Sequence, residues 1–338
     1  FSKVLRPQLG LVVSLFGVLA YFCFFFIHYS SDKSEESMER GVNMGQNMKR
    51  GLAMVVIVVL LPYVITVFIN GPSIATNAGT TGDSVNVQMA SGVVQMSMDA
   101  YGMGILASEI SMADKLSAVK AQAVLVRTGL YKQIEEERKN AVFREEFWAE
   151  ADMKKQWGAG KYGEYHKKLE KAWEETSGQI VTYQGKPAAT PFHQLSNGST
   201  RIGKEVLGSD TYPYLMKKEC PKDVEALEQM TTVTMEKQDM EIQTVDSAGY
   251  VQNIRVGERI YTGEEFRKEH ALASSCFVLQ DYKGNIRVTT KGIGHGLGMS
   301  QYTANEMAKE GKSHEEILQY FFEGTEIKEV AEILSNIE

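Results

Sequence analysis

Two long apolar stretches near the start of the chain restrict its folding more than any other feature of the sequence. They are LGLVVSLFGVLAYFCFFFI at residues 9–27 and LAMVVIVVLLPYVITVFI at residues 52–69. Each is close to the roughly 20 apolar residues that an α-helix needs to cross a bilayer. The sequence therefore predicts one or two N-terminal transmembrane helices, with an anchor at residues 52–70.

Basic residues flank the second stretch on one side only. Lys49 and Arg50 precede it, whereas residues 71–84 are small and polar and contain no Lys or Arg. Because positively charged flanks stay in the cytoplasm, everything after residue 70 is predicted to lie outside the cytoplasm. A first span at residues 9–27 leaves this orientation unchanged, since the segment between the two stretches carries further Lys and Arg residues.

The beginning of the chain allows two interpretations. The chain starts with Phe1, and Met44 and Met48 stand just before the second stretch, so residues 1–43 are either protein or upstream reading frame. The protein then crosses the membrane twice or once. A cleaved signal peptide is the alternative for the second stretch. Only SIATNAG offers a cleavage site, which favours an uncleaved anchor.

Composition excludes several classes of function. The formal net charge of −7 argues against a general nucleic-acid-binding surface, because phosphate contacts need clustered Lys and Arg. No two of the three cysteines have the C-x-x-C spacing, so neither a disulfide framework nor a zinc ribbon is predicted. His193, His295 and His314 are scattered and no H-E-x-x-H motif occurs, so no metal site is predicted.

Beyond residue 84 the sequence mixes strand-like and helical patterns without the regular order of βαβ units. Strand-like alternation covers residues 85–97. From Lys115 to Asn140, apolar residues recur at helical spacing, which predicts a long helix whose first half is buried on all sides. Residues 250–266 fit a strand pair followed by a short helix, and residues 276–290 fit a hairpin. The mixture predicts an α+β fold of helices and antiparallel strands.

Several predicted helices have clear boundary signals. Residues 141–176 are highly charged and predict a helical insertion at the surface. Ser300 can cap a helix that runs to about Lys309, and Ser313 with Glu316 has the spacing of a capping box. The patterns divide the chain into an N-terminal segment at 1–51, an anchor at 52–70, a linker at 71–89, a main domain at 90–328 and a tail at 329–338.

The segment GIGHGLGMSQY, residues 292–302, places four glycines around His295. The glycines alternate strictly, so neither G-x-G-x-x-G nor a P-loop with its lysine is present. Alternating glycines instead predict an extended backbone that is approached closely, by a polymer or by another segment of the chain. His295 is then either a buried, hydrogen-bonded histidine or a side chain that projects from the wall of a site.

Glu109 differs from the other carboxylates of the chain. It lies in GILASEISMADKL, among apolar residues directly before the predicted buried helix. Apolar surroundings raise the pKa of a carboxyl group and keep it protonated, as a general acid requires. A helix-capping or salt-bridged glutamate is the alternative. In the helix itself, Lys120, Gln122 and Arg127 need partners, either in structural ion pairs or at the border of a site.

Three of these segments together resemble the stage II sporulation protein D family, which comprises lytic transglycosylases of endospore-forming bacteria. They are ILASEI, AVKAQAVLVRT and GIGHGLGMSQYTANEMAKEGKSHEEILQYFFEGTEI, and the similarity covers roughly residues 90–328. The resemblance implies an α+β catalytic domain with a long substrate groove, in which Glu109 is the catalytic residue. It implies substrate contacts for Lys120, Gln122, Arg127, Thr128, His295, Ser300, Gln301 and Tyr302.

The resemblance also implies a substrate, partners and a location. The substrate would be peptidoglycan glycan strands already stripped of peptides by an amidase, stage II sporulation protein P, and the products would carry 1,6-anhydro ends. Stage II sporulation protein M would be the scaffold, at the sporulation septum and the engulfing membrane, and no cofactor is expected. The segment after His193 lacks cysteine, so the zinc site of some relatives is not expected. True hydrolysis, or a non-catalytic wall-binding module that enhances an amidase, is the alternative.

The chain departs from the family pattern at three positions. Thr303 follows SQY where the family usually has glycine, Ile293 occupies a position that is often aromatic, and Gly129 follows RT where tyrosine is common. None of these departures touches the proposed acid. We therefore expect them to affect contacts with the substrate rather than proton transfer.

Overall fold

A computed structural model of the protein describes residues 84–138 and 141–334. The described residues belong to one unit of the chain, Thr81–Glu338. The predicted spans at 9–27 and 52–70 lie outside the described residues, as does most of the predicted linker. Among the helices that the structure does describe, none combines the length and the apolar character that crossing a membrane demands.

Eight α-helices, a 3-10 helix at Pro221–Glu225 and fourteen short strands make up the regular structure of the described part of the chain. The helices are α1 (Met98–Glu109), α2 (Leu116–Glu137), α3 (Glu150–Glu174), α4 (Gly203–Leu207), α5 (Gly263–Glu269), α6 (Gln301–Lys309), α7 (His314–Phe321) and α8 (Val330–Leu334). The strands are β1 (Ser84–Met89), β2 (Gly92–Ser97), β3 (Val142–Phe143), β4 (Gln179–Tyr183), β5 (Lys186–Pro187), β6 (Phe192–His193), β7 (Met230–Glu236), β8 (Met240–Val245), β9 (Val251–Val256), β10 (Arg259–Thr262), β11 (Phe277–Tyr282), β12 (Asn285–Lys291), β13 (Met299–Ser300) and β14 (Glu326–Glu329).

The strands form several small sheets rather than one large sheet. Their orders are β2-β1-β3, β10-β9-β8, β11-β12-β7, β13-β6 and β14-β4-β5. Most pairs are antiparallel, and β1 with β3 and β6 with β13 are parallel. Helices and sheets are thus mixed without a βαβ series, which confirms the predicted α+β class.

Helix α2 is the long buried helix that the apolar spacing predicts. Val119 and Val126 pack in one hydrophobic cluster with residues of α1 and α3. Val124 and Leu125 pack in a second cluster with residues of α6 and α7. A helix that contacts the core on several sides is apolar around much of its circumference. This packing makes α2 the element around which the neighbouring helices are arranged.

Two elements lie outside the predicted main domain of residues 90–328. Strand β1 falls within the predicted linker, and it pairs along its whole length with β2 while burying Val85 and Val87. Helix α8 falls within the predicted tail, where Val330 and Ile333 pack against Ile180. Both segments are otherwise polar in composition. Burial of alternating apolar side chains orders β1, and burial of helically spaced apolar side chains orders α8.

The local signals in the sequence correspond to observed boundaries. The Ser300 side chain caps α6, and Ser313 with Glu316 forms the predicted capping box at α7. The predicted hairpins are β9–β10 and β11–β12. The charged insertion forms α3, which is interrupted at Gly158 by a left-handed backbone with φ of 69°. This interruption directly follows Trp157, whose side chain lines a cavity beside the end of α1.

Candidate active site

A cavity of about 440 Å³ opens beside the C-terminal end of α1. Its walls come from α1, the loop at 110–115, α3 and the beginning of α6. Of the predicted site residues, it brings together Glu109, Gln301 and Tyr302. The complete lining is Ala107, Ser108, Glu109, Ile110, Ser111, Met112, Asp114, Trp148, Trp157, Tyr165, Gln194, Leu195, Glu228, Gln301, Tyr302 and Asn305.

Glu109 is the last residue of α1 and its side chain is exposed beside the cavity. The surrounding protein still removes enough water to raise the pKa of its carboxyl group, and the nearby Glu146 carboxylate raises it further. The partial negative charge at the end of α1 acts in the same direction. No cation lowers this pKa within the described part of the chain. The group therefore favours its protonated form more than an ordinary surface glutamate does.

The backbone of Glu109 is held by the C-terminal motif. Gln301 Nε2 donates a hydrogen bond of 2.8 Å to the Glu109 carbonyl and a second, of 3.2 Å, to Gln122 Oε1. Gln122 is fully buried on α2, and Gln301 is the first residue of α6. The predicted residues Gln122 and Gln301 thus form a chain that fixes the end of α1 against two other helices.

The loop after Glu109 is clamped from two sides. Lys168 on α3 donates hydrogen bonds of 2.8 Å and 3.0 Å from Nζ to the carbonyls of Met112 and Asp114. On the other side, the backbone N–H of Lys115 donates to Asn305 Oδ1 on α6 at 2.8 Å. The two contacts define the position of this loop relative to the cavity.

Asp114 places a second carboxyl group in the cavity, and sequence reasoning missed it. The residue is half-buried. Loss of water raises the pKa of its carboxyl group to about 6, Glu306 adds to the rise, and Lys309 and Lys168 oppose it. The sequence contains one signal that Asp114 could lie near the site. Asp114 follows Glu109 by only five residues, in a segment that has to turn before α2. The direction of its side chain depends on that turn.

Arg127 and Thr128 face the interior of the protein. Arg127 is buried, donates from Nη1 to the Thr176 carbonyl at 2.6 Å, and stacks over the Trp173 ring at 4.1 Å. Burial lowers the pKa of Arg127 to about 10. Thr128 Oγ1 accepts a hydrogen bond of 2.9 Å from the backbone N–H of Val181. Neither residue lines the cavity, and both attach other elements to α2.

Lys120 and Ser300 also have partners within the protein. Lys120 pairs with the Glu175 carboxylate at 2.6 Å. The Ser300 hydroxyl donates to Asp223 at 2.7 Å while accepting from the N–H of Thr303 at 3.3 Å. The cavity lining includes neither residue. Ser300 nevertheless acts on the site indirectly, because it caps the helix that begins with Gln301.

The glycine segment is packed against other segments of the chain. Its four glycines have positive φ, so the backbone is left-handed at these positions, while isolated β-bridges pair Ile293, Gly294 and Leu297 with other segments. The predicted extended backbone is thus found only in short pieces between turns. A Cβ on Gly298 would overlap the Pro191 carbonyl, and one on Gly296 would overlap the ring of Tyr250. The close approach predicted by the alternating glycines therefore comes from neighbouring chain segments.

His295 is half-buried within this packing. Its Nδ1 accepts a hydrogen bond of 3.1 Å from the backbone N–H of Leu297, and its carbonyl accepts one from Arg201. Burial lowers its pKa. Its ring lies 5.9 Å from that of His193, which burial holds at a pKa of about 3. His295 does not line the cavity, and its contacts match the hydrogen-bonded alternative.

Potential metal ligands are not clustered in the described ranges. No group of three or more His, Cys, Asp or Glu residues among 84–138 and 141–334 is arranged to hold a metal ion. Cys220 and Cys276 are both buried free thiols. The polar side chains that line the cavity carry carboxyl, amide and hydroxyl groups.

Aromatic side chains from α3 and the segment before it form part of the cavity wall. They are Trp148, Trp157 and Tyr165. The sequence contains a signal for them, because large aromatic residues are unexpected in a highly charged surface insertion. Trp173 in the same insertion has a different role, since it is buried and its indole N–H donates to Asp99 at 2.9 Å.

Comparisons with known proteins agree on one family. Residues 87–183 match the family model described as Stage II sporulation protein. Stage II sporulation protein D of Bacillus amyloliquefaciens is 30% identical over 268 residues, covering 72% of this chain and 77% of the relative. The same protein of Bacillus subtilis (strain 168) is 31% identical over 268 residues, covering 72% and 78%. An uncharacterized protein of Brachyspira hyodysenteriae is 28% identical over 260 residues, covering 70% and 67%.

Proposed function

The chain belongs to the stage II sporulation protein D family, and from this premise we propose that it is a lytic transglycosylase that cleaves peptidoglycan glycan strands. One observation supports the proposal above the others. Glu109 has a raised pKa, borders the cavity and has its backbone held by Gln301. A carboxyl group with a raised pKa holds its proton more readily than an ordinary glutamate does, which supports a role as an acid that later takes the proton back.

In the first proposed step, Glu109 donates its proton to the oxygen between N-acetylmuramic acid and N-acetylglucosamine. The bond from that oxygen to C1 of the muramyl sugar breaks, and positive charge develops on the muramyl ring. The N-acetylglucosamine end leaves with the proton. Glu109 is now a carboxylate close to the charged ring, which it stabilises.

In the second step, the Glu109 carboxylate removes the proton from the 6-hydroxyl of the same muramyl sugar. The oxygen of that hydroxyl forms a bond to C1 and closes the 1,6-anhydro ring. Glu109 returns to its protonated form, and no water is consumed. One carboxyl group thus serves both steps, whereas ordinary glycosidases use a pair.

The other predicted site residues divide between direct and indirect roles in this proposal. Gln301 and Tyr302 line the cavity, which supports a direct contact of each with the sugar. Gln122 holds Gln301. We propose that Lys120, Arg127, Thr128, His295 and Ser300 act by fixing the helices and the glycine segment, since their polar groups have partners inside the protein.

The proposed setting follows from the family and from the N-terminal sequence. The relatives are named as sporulation proteins, and the apolar stretches at 9–27 and 52–69 fit a membrane anchor. We propose an extracytoplasmic catalytic domain at the sporulation septum and engulfing membrane. Its substrate would be peptide-free glycan, produced by the amidase stage II sporulation protein P, with stage II sporulation protein M as the scaffold.

Digestion of peptide-free glycan strands by the full chain tests the function. We expect mass spectrometry to detect 1,6-anhydromuramyl ends with the wild type. Glu109→Gln should reduce the rate by about 10²- to 10⁴-fold, the usual contribution of a general acid. Glu310→Gln is the matched control, because Glu310 is exposed and does not line the cavity.

Three other results of this digestion would favour a different function or mechanism. Reducing-end sugars as products would show that water replaces the 6-hydroxyl and that the protein is a hydrolase. Intact glycan that binds tightly would favour the non-catalytic module that enhances an amidase. A Glu109→Gln variant that cleaves at the wild-type rate would remove Glu109 from the mechanism.

A further inference from the structure

Strand β7 forms an open edge of the sheet β11-β12-β7. It pairs with β12 along its whole length, from Met230 to Glu236, without a bulge. On its other side, no backbone group in the ranges 84–138 and 141–334 bonds to it. Six of its seven residues are exposed. A regular strand that is left open in this way is a template for pairing with another strand.

The hydrogen bonds around the strand show which of its backbone groups point outward. The N–H of Gly292 donates to the carbonyl of Gln229 at 2.8 Å, so these two residues form a hydrogen-bonded pair. Such pairs alternate with non-hydrogen-bonded pairs along an antiparallel ladder. Val233 therefore bonds to β12, and the N–H and carbonyl groups of Thr232 and Thr234 point away from the sheet.

The edge of β7 lacks the usual protection against pairing. Proteins commonly protect an open edge with charged side chains, with proline or with a bulge. The edge strand β8, which follows β7 in the chain, has such an irregularity around Thr244. β7 contains no Lys, Arg or Pro, and its one charge is at Glu236, its last residue. Its outward backbone groups are thus available to a partner strand.

The centre of β7 is suited to antiparallel pairing with a second copy of itself. The residues TVT at 232–234 read the same in both directions around Val233. A pair centred on Val233 places this residue opposite its own copy and Thr232 opposite Thr234 of the second copy. The outward N–H and carbonyl groups of the two strands then meet in hydrogen-bonded pairs, and facing threonines add to the stability of the sheet.

The same register extends the apolar face of the sheet. Val288 of β12 is buried and lies opposite Val233, which is 37% exposed. Pairing brings the two copies of Val233 side by side on this face, so that each covers the exposed part of the other. Removal of apolar surface from water favours association.

The charges at the ends of the strand are complementary in this register. Met230 stands between Lys291 of β12 and, in the pair, Glu236 of the second copy. Lys291 and Glu236 are both exposed, and two strand spacings place their backbones about 10 Å apart on the same face. Their long side chains can meet over Met230, and two-fold symmetry repeats this contact at the other end of the strand.

We propose that β7 is the contact strand of a two-fold symmetric dimer, in which it pairs antiparallel with β7 of a second copy around Val233. The two three-stranded sheets thereby join into one continuous sheet. No residue of β7 lines the cavity beside Glu109, so each copy keeps its own cavity. The dimer goes beyond the proposed function and does not depend on it, because association is measured without cleavage.

Cysteine cross-linking of the full chain tests the register. All proteins carry Cys23→Ser, which leaves the buried thiols of Cys220 and Cys276 as the only native ones. Val233→Cys should form a disulfide-linked dimer under mild oxidation, because facing residues of a non-hydrogen-bonded pair have Cα atoms about 4.5 Å apart. Val94→Cys, an exposed position on the edge strand β2, is the matched control. The control should cross-link about tenfold more slowly, since only chance encounters bring its thiols together.

Two further variants act on the backbone and on the side chains of the edge. Thr232→Pro removes an outward N–H and keeps the bonds to β12. Val233→Lys places like charges opposite each other at the symmetry axis. Sedimentation of the full chain in detergent should show association weakened about tenfold by each variant. Val278→Lys, on the opposite edge of the same sheet, should associate as the wild type does.

A charge exchange tests the contact at the ends of the strand. Glu236→Lys should weaken association about two- to fivefold, the size of an exposed ion pair. Adding Lys291→Glu to this variant restores opposite charges, and association should return to the wild-type value.

Three results would contradict the dimer. They are a wild type that sediments as a monomer at every concentration, equal cross-linking of Val233→Cys and Val94→Cys, and a dimer that Val233→Lys leaves intact. The last result would place the contact on another surface. If Thr232→Pro does not fold, Val233→Lys and the cross-link still decide the question, because neither changes the backbone of β7.

Discussion

The cavity beside Glu109 and the glycine segment around His295 use their polar groups in opposite ways. In the glycine segment, the N–H groups of Gly292, Ile293 and Gly294 all donate to carbonyls of neighbouring segments. Beside the cavity, the carboxyl groups of Glu109 and Asp114 accept no hydrogen bond from another described residue, and Lys309 and Lys168 act on Asp114 only from a distance. Groups that are already paired hold a fold together, and groups left unpaired are available to a ligand.

This difference explains why a distinctive motif need not lie in the cavity. The four glycines are required because Pro191, His193, Leu195 and Tyr250 come so close that a side chain would collide with them. The motif then continues into α6, and its Gln301 reaches the carbonyl of Glu109. The glycine segment thus supports the cavity from a distance. Substitutions in the glycine segment should therefore affect folding, and substitutions beside the cavity should affect chemistry.

Gly298→Ala should have the largest effect. A Cβ would overlap the Pro191 carbonyl, and φ is 73°, so both collision and backbone strain oppose the substitution. We expect a loss of about 3–5 kcal/mol in the free energy of unfolding, as in the most damaging core substitutions.

Denaturant unfolding of the full chain measures this loss, with Gly129→Ala as the matched control. Gly129 lies inside α2 with open space around its Cα, so alanine there should stabilise by roughly 0.5–1 kcal/mol. Equal stability of the two variants would mean that the glycine segment is not tightly packed.

The histidine pair should make stability depend on pH. His193 titrates near pH 3 in the folded chain, because burial and the neighbouring His295 oppose its charge, against 6.5 as its ordinary value. Between these values the unfolded chain binds a proton that the folded chain does not. Stability contributed by the neutral side chain is therefore present above pH 6.5 and is lost as the pH falls.

The loss should reach about 2–3 kcal/mol between pH 6.5 and 4.5, from roughly 1.4 kcal/mol per pH unit. Unfolding curves of the wild type and of His193→Gln over this range isolate the contribution, since the other titrating groups are common to both. Parallel pH dependence in the two proteins would show that His193 is protonated in the folded state.

Glu146→Gln should have the smallest effect, and it should act on the cavity alone. The Glu146 carboxylate helps to raise the pKa of Glu109, so its removal lowers that pKa. Because the proposed acid must be protonated, the rate falls as the pH rises through the pKa of Glu109. The alkaline limb of the pH–rate profile should therefore move to lower pH, by less than it would if the two carboxyl groups were not screened by solvent and salt. An unmoved limb would mean that the rate does not follow the protonation of Glu109.

Local patterns in the sequence predict much of this architecture. Apolar spacing identifies α2, and Ser300 and Ser313 mark the beginnings of α6 and α7, because the atoms involved are close along the chain. Glu109 is predicted by its apolar neighbours and by the family motif. Signals of this kind depend on a few consecutive residues.

The parts that the sequence does not predict depend on distant segments. Trp157 and Asp114 meet at one cavity only because α3 returns beside the loop that follows α1. Arg127 looks like a site residue in the motif, yet Thr176 and Trp173 enclose it. These tertiary contacts decide whether a polar side chain faces a ligand or the interior. The spacing of residues along the chain does not predict them.

The hydrogen bond between Gln301 and the carbonyl of Glu109 joins residues that are 192 positions apart. A ribosome makes Glu109, the proposed acid, long before it makes Gln301, which holds its backbone. A chain that lacks residue 301 therefore carries the glutamate without this hydrogen bond, and the end of α1 gains its support only when the segment that holds Gln301 has folded.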